Sequence, residues 1–142
     1  MPRSPTSAPL RILLVEDDQI DVENVRRTFA KTGASVQITV ACDGERALEL
    51  LTAGQIPLDK CLILLDLNMP RMNGIEFLRA LRGDPAFDHV PVVVLTTSDA
   101  EPDRVGACDL NVTGYMLKPV SFDDFVTALD AAETYWRLRE LS

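Results

Sequence analysis

Cys61 to Leu65 reads CLILL, apolar at every position, and the run stops abruptly on Asp66. A strand that is apolar on both faces has to be covered on both faces, which is the condition of a parallel sheet between two layers of helices. Turn-forming residues follow at once, Asn68, Pro70 and Gly74. A segment suited to the interior therefore delivers a carboxylate to its own end, as a mount delivers a working group.

The rest of the chain repeats the alternation. Short β-compatible segments lie at Leu10–Val15 (LRILLV), Val36–Ala41 (VQITVA), Val90–Leu95 (VPVVVL) and Gly114–Leu117 (GYML). Between them, apolar residues at helical spacing predict helices over Gln19–Lys31, Glu45–Leu51 and Gly74–Leu81. Gly33 stops the first of these and Ala53–Pro57 breaks the second. Asp99–Cys108 is a poor helix, with Pro102 in its first turn and Gly106 inside. A long last helix begins at Ser121, with Asp124 three residues on, as in a capping box. Strand and helix thus alternate five times. The fold class is α/β, a doubly wound five-stranded parallel sheet, and the 142 residues leave no room for a second domain. In such sheets ligands bind beyond the carboxyl ends of the strands.

The residues just after each strand carry the chemistry. Glu16, Asp17 and Asp18 follow the first, Asp66 and Asn68 the third, Thr96, Thr97 and Ser98 the fourth, and Lys118 and Pro119 the fifth. Asp43 follows the second, and an outer position for that strand would keep it away from the cluster. Each acidic residue alone reads as a helix cap, and Asp18 suits that role for the helix starting near Gln19. Together they describe something else. Crowded carboxylates repel one another unless a cation sits among them. Hard oxygen ligands suit Mg²⁺, often bound alongside phosphate. Lys supplies a point charge and Thr a hydroxyl donor for a phosphoryl oxygen. The set fits a phosphoryl site with an aspartate nucleophile.

Composition narrows the partners. A net charge of −8 argues against binding nucleic acid or an anionic membrane surface. The three cysteines, Cys42, Cys61 and Cys108, form no CxxC pair and read as free thiols of a reducing cytoplasm. The opening MPRSPTSAP lacks the apolar core of a signal peptide and reads as a flexible arm over residues 1–9. His89, the single histidine, sits in the turn before the fourth strand, away from the acidic end.

VEDD at 15–18, LLDLNMPRMNG at 64–74, LTTS at 95–98 and GYMLKP at 114–119 resemble, in order, the motifs of the receiver domains of two-component response regulators. The resemblance implies a flavodoxin-like (βα)5 sheet in the order 2-1-3-4-5 over residues 10–133. It implies Asp66 as phosphoacceptor and Asp17 as direct Mg²⁺ ligand, with Glu16 holding metal water. Asn68 would contribute its backbone carbonyl, and Thr96 and Lys118 would each bind a phosphoryl oxygen. Glu16 stands where many members carry Asp. Lys118-Pro119 is expected to be cis, and Thr96 with Tyr115 to form the switch pair. A sensor histidine kinase would be the phosphoryl donor. GDPAFDHVPVVVLTTS and YWRLRELS are similar to the regulators paired with phytochrome-type kinases.

After Ala132 the chain has only ETYWRLRELS, so no output module is expected. Residues 134–142 read as an extension of the last helix. Tyr135, Trp136 and Leu138 there are too apolar to leave in water, which suggests a homodimer through that helix. Two rivals remain. An aspartate-based phosphatase would carry a second Asp two residues after the nucleophile, where this chain has Asn68. A phosphorylation-independent pseudo-receiver scaffold would not need the complete set of site residues.

Overall fold

A computed structural model describes residues 10–31, 36–58, 60–67, 72–96 and 112–140, with side chains described up to residue 134. The expected helix at Asp99–Cys108 lies outside these residues. Five parallel strands, β1 (Leu10–Val15), β2 (Val36–Ala41), β3 (Cys61–Asp66), β4 (Val92–Thr96) and β5 (Gly114–Leu117), form one sheet in the order β2-β1-β3-β4-β5. Helices α1 (Gln19–Ala30), α2 (Gly44–Thr52), α3 (Gly74–Arg82) and α4 (Phe122–Glu140) complete the described elements. The doubly wound fold and its strand order are as expected.

Alternation along the central strands splits the core into two. Leu13, Val15, Ile63 and Leu65 face α2 and α3, where Leu51, Phe77 and Leu81 meet them. Ile12, Leu14, Leu62 and Leu64 face the opposite side, against Val25 and Phe29 of α1 and Phe125 of α4. Every residue of β3 is buried. Each fully buried leucine contributes about 2 kcal/mol of transfer free energy, so the strand that carries Asp66 is firmly seated. Burial also pushes the Cys61 thiol up to about 12, which leaves it protonated. No helix among the described residues is long and apolar enough to cross a membrane.

Strand boundaries shift slightly from expectation, for local reasons. Pro91 has no N–H to give to a ladder, and Val90 donates into a turn closing on Phe87. β4 therefore starts at Val92. At the other end, Asp66 and Thr96 are the last residues of their strands, paired with Leu95 and Leu117. Asp66 and Thr96 thus stand on ladder positions, while Glu16, Asp17 and Lys118 follow directly after their strands.

Candidate functional site

Strand ends and helix caps build the site together. Glu16 follows β1 directly, and its backbone N–H donates to the Ala41 carbonyl at 3.0 Å. Asp18 caps α1, accepting from the N–H groups of Ile20 at 2.8 Å and Asp21 at 3.4 Å. That cap answers two of the orphan donors of the first turn. Asp43 does the same for α2, accepting from Arg46 N–H at 2.8 Å, and the outer position of β2 keeps it from the cluster, as expected. Asn73 and Glu76 form a reciprocal capping box at the start of α3.

The end of β3 is fixed by close approach. Gly74 N–H donates to the Leu67 carbonyl at 3.1 Å. A Cβ at position 74 would lie 2.6 Å from Leu67 Cα and 2.7 Å from the Asp66 carbonyl oxygen. Only glycine lets α3 begin this near the strand that carries Asp66.

At the carboxyl edge, oxygens of Glu16, Asp17 and Asp66 lie within 4.8 Å of one another. Glu16 and Asp66 are buried, and Asp17 is exposed. Lys118 reaches into the group from the end of β5. Its Nζ is 2.7 Å from Glu16 Oε1, 3.0 Å from Asp21 Oδ2 and 3.3 Å from Asp66 Oδ1. The Lys118-Pro119 peptide is cis, as expected. Lys118 N–H donates to the Thr96 carbonyl at 2.8 Å, which ties the lysine to the end of β4.

The electrostatics follow from this crowding. Burial, with the Asp66 charge beside it, pushes Glu16 up from 4.5 to about 7, although the Lys118 hydrogen bond opposes the shift. The carboxylates in turn hold Lys118 above the ordinary lysine range, against the cost of burial. Among the described residues one ammonium, that of Lys118, stands against the carboxyl groups of Glu16, Asp21 and Asp66, with Asp17 beside them. The all-oxygen donor set and the surplus negative charge suit a hard divalent cation.

Glu16, Asp17, Asp66, Lys118 and Thr96 therefore gather at one edge. Tyr115 lies on β5 opposite Val94 and is 39% exposed. Asn68, Thr97 and Ser98 lie outside the described residues, as do the side chains of Tyr135, Trp136 and Leu138. Asp21 was not foreseen among the site residues. In the sequence it reads as one more charge on an amphipathic helix. The available signal was its spacing with Asn24 and Thr28, a polar stripe along α1.

Comparison with known proteins agrees with this geometry. The family described as response regulator receiver domain matches residues 12–130. The probable methanogenesis regulatory protein FilR2 of Methanothrix harundinacea (strain 6Ac) is 34% identical over 131 residues, covering 90% of this chain and 84% of that protein. Response regulator MprA of Mycobacterium tuberculosis (strain ATCC 25618 / H37Rv) is 34% identical over 86% of this chain, which spans only 50% of MprA. Among solved structures, the bacteriophytochrome response regulator RtBRR superposes with a TM-score of 0.80 at 35% identity, covering 88% of this chain and 78% of that one. The phosphorylated cyanobacterial phytochrome response regulator RcpA gives 0.71 at 32% identity, covering 91% and 94%. The Mn(2+)-bound form of response regulator Rcp1 gives 0.69 at 32% identity, covering 90% and 94%. With its fold, its strand-end chemistry and its relatives in agreement, this chain belongs to the response regulator receiver domain family.

Proposed function

We propose that this receiver domain accepts a phosphoryl group on Asp66 from the phosphohistidine of a cytoplasmic sensor kinase, and that the phosphorylated form changes its partner or dimer contacts. The observation that carries the reading is the Asp66 carboxylate at the end of a fully buried strand, 3.3 Å from Lys118 Nζ and within 4.8 Å of two further acidic groups. The phosphorylated RcpA structure supports phosphorylation of a chain like this one, and the bacteriophytochrome regulators among the neighbours support a phytochrome-type kinase as donor.

In the transfer, an Asp66 carboxylate oxygen attacks phosphorus. The bond from phosphorus to the histidine nitrogen breaks, and the electron pair leaves with the imidazole. The product is an acyl phosphate. Lys118 would bind one oxygen of the transferred group and Thr96 another. Glu16, Asp17, Asp66 and the Asn68 carbonyl would hold Mg²⁺, which neutralises charge on the transferring oxygens. The Mn(2+)-bound form of Rcp1 is consistent with divalent-cation binding by a chain of this kind. Thr96 drawn toward the phosphoryl group would leave room for the half-exposed Tyr115 to turn inward, a local charge event biasing a two-state element.

The test is incubation with radiolabelled acetyl phosphate. Label should be taken up only with Mg²⁺ and be removed by hydroxylamine, as an acyl phosphate requires. A folded protein that takes up no label would be a scaffold instead. The metal also has a pH signature. Glu16 accepts fully from metal-bound water only when ionised, and burial pushes its carboxyl up to about 7. Mg²⁺ affinity is therefore expected to weaken as pH falls below that value, by less than the loss of a direct ligand would give. Calorimetric titration at several pH values checks this, and a flat profile from pH 8 to pH 5 would contradict it.

A homodimer through α4 forms part of the same proposal. Tyr115 and Leu117 on the outer strand, with Phe122 and Val126 on α4, leave apolar side chains 37–50% exposed on neighbouring elements. α4 itself runs unbroken to Glu140. Apolar patches of this kind mark interfaces. Cutting the chain after Glu133 removes Tyr135, Trp136 and Leu138 and is expected to convert a dimer to a monomer in sedimentation, and an unchanged mass would refute a contact through that extension.

A further inference from the structure

α1 turns three polar side chains toward the segment that follows β5. Asp21 Oδ2 is 3.0 Å from Lys118 Nζ, and Asn24 Nδ2 donates to the Val120 carbonyl at 3.2 Å. The Thr28 hydroxyl donates to the Asn24 carbonyl at 2.9 Å and lies 3.4 Å from the same Val120 oxygen. Spacings of three and four residues put all three on one face of the helix. Lys118 is thus gripped at its ammonium by Asp21, while the backbone two residues on is held by Asn24 and Thr28.

The ammonium has three N–H donors and faces three carboxylates. The contacts to Glu16 and Asp21 are the shorter ones, at 2.7 and 3.0 Å, and the contact to Asp66 is the longest, at 3.3 Å. Asp21 stands outside the group whose oxygens converge for a cation, which comprises Glu16, Asp17 and Asp66. We propose that Asp21 is a positioning residue: its hydrogen bond, with the ion pair to Glu16, anchors Lys118 Nζ 3.3 Å from Asp66, where the ammonium can turn to a phosphoryl oxygen. The inference rests on Asp66 as the phosphoacceptor.

The test compares Asp21→Ala and Asp21→Asn, each alone and combined with Lys118→Ala, with Asp66→Asn as control. Initial phosphoryl uptake is measured at saturating acetyl phosphate and Mg²⁺, and Mg²⁺ affinity is titrated separately. Ala is the better helix former, which offsets part of the lost first-turn charge and ion pair, and circular dichroism with thermal melting checks that Asp21→Ala is folded. Asp21→Ala is expected to slow uptake by about tenfold through a misplaced lysine. Asp21→Asn should restore most of the rate, because its amide oxygen still accepts from Nζ. In the Lys118→Ala background, Asp21→Ala should add less than about twofold, since residues acting through one another are not additive. Mg²⁺ affinity should stay within about threefold of wild type, a change far smaller than loss of a true ligand. Wild-type uptake by Asp21→Ala, an equal further loss without the lysine, or a rate loss matched by lost Mg²⁺ affinity would each overturn the inference. Label retained by Asp66→Asn would instead overturn the phosphoacceptor reading beneath it.

Discussion

Lys118→Ala is expected to slow phosphoryl uptake by about a hundredfold or more, the usual cost of removing one preorganised donor from a developing anion. The same substitution should destabilise the fold in a pH-dependent way. Lys118 is the cation shared by Glu16, Asp21 and Asp66, and the Glu16 side chain beside it is fully buried. Removing one partner of a buried ion pair costs about 3 kcal/mol or more when the other charge is left in place. The sign follows from Glu16. Its folded value is about 7 against an ordinary 4.5, so burying it costs nothing below 4.5, where it is neutral folded or unfolded. The cost grows as pH rises between those values and is complete above about 7. Lys118 opposes that shift, so its loss raises Glu16 further and enlarges the penalty at high pH. Urea denaturation should therefore show a clearly larger loss at pH 8 than at pH 5, and Mg²⁺ should recover part of it at pH 8. Equal losses at the two pH values would contradict this account of the site.

Gly74→Ala is expected to damage both stability and phosphorylation, although residue 74 carries no functional group. The new methyl would sit 2.6 Å from Leu67 Cα and 2.7 Å from the Asp66 carbonyl oxygen, so backbone must move. Forcing a methyl into packed structure costs about 1–3 kcal/mol, and backbone neighbours place this case at the upper end. For a domain of this size that lowers the melting temperature by roughly 5–15 °C. Any adjustment that relieves the clash shifts Asp66 relative to Lys118. Uptake should therefore fall even at temperatures where the variant is fully folded. A variant that melts and phosphorylates like wild type would show that α3 can move away freely.

Much of this was legible in the sequence because the alternating pattern and the fold demand the same thing. CLILL could only be a strand covered on both faces, and the strand-end positions of Glu16, Asp66, Thr96 and Lys118 followed from parallel topology. Asp18 and Asp43 were read correctly as belonging to helix starts and an outer strand. The exact ends were less legible. A polar residue closing an apolar run looks like the first residue of a loop, yet Asp66 and Thr96 keep their ladder pairs because the neighbouring strands extend as far. Asp21 was hidden for a different reason. Its partner lies 97 residues away, and only the packing of α1 against the segment after β5 brings the two together.

The central claim is that Asp66 carries the phosphoryl group. Its most direct test is mass spectrometry of the protein after acetyl phosphate and Mg²⁺, with the modified carboxylate located by hydroxylamine trapping and peptide mapping, in wild type and Asp66→Asn. The account predicts a single modified site on the peptide containing Asp66 and none in the variant. A trapped site elsewhere, or equal modification of Asp66→Asn, would contradict it.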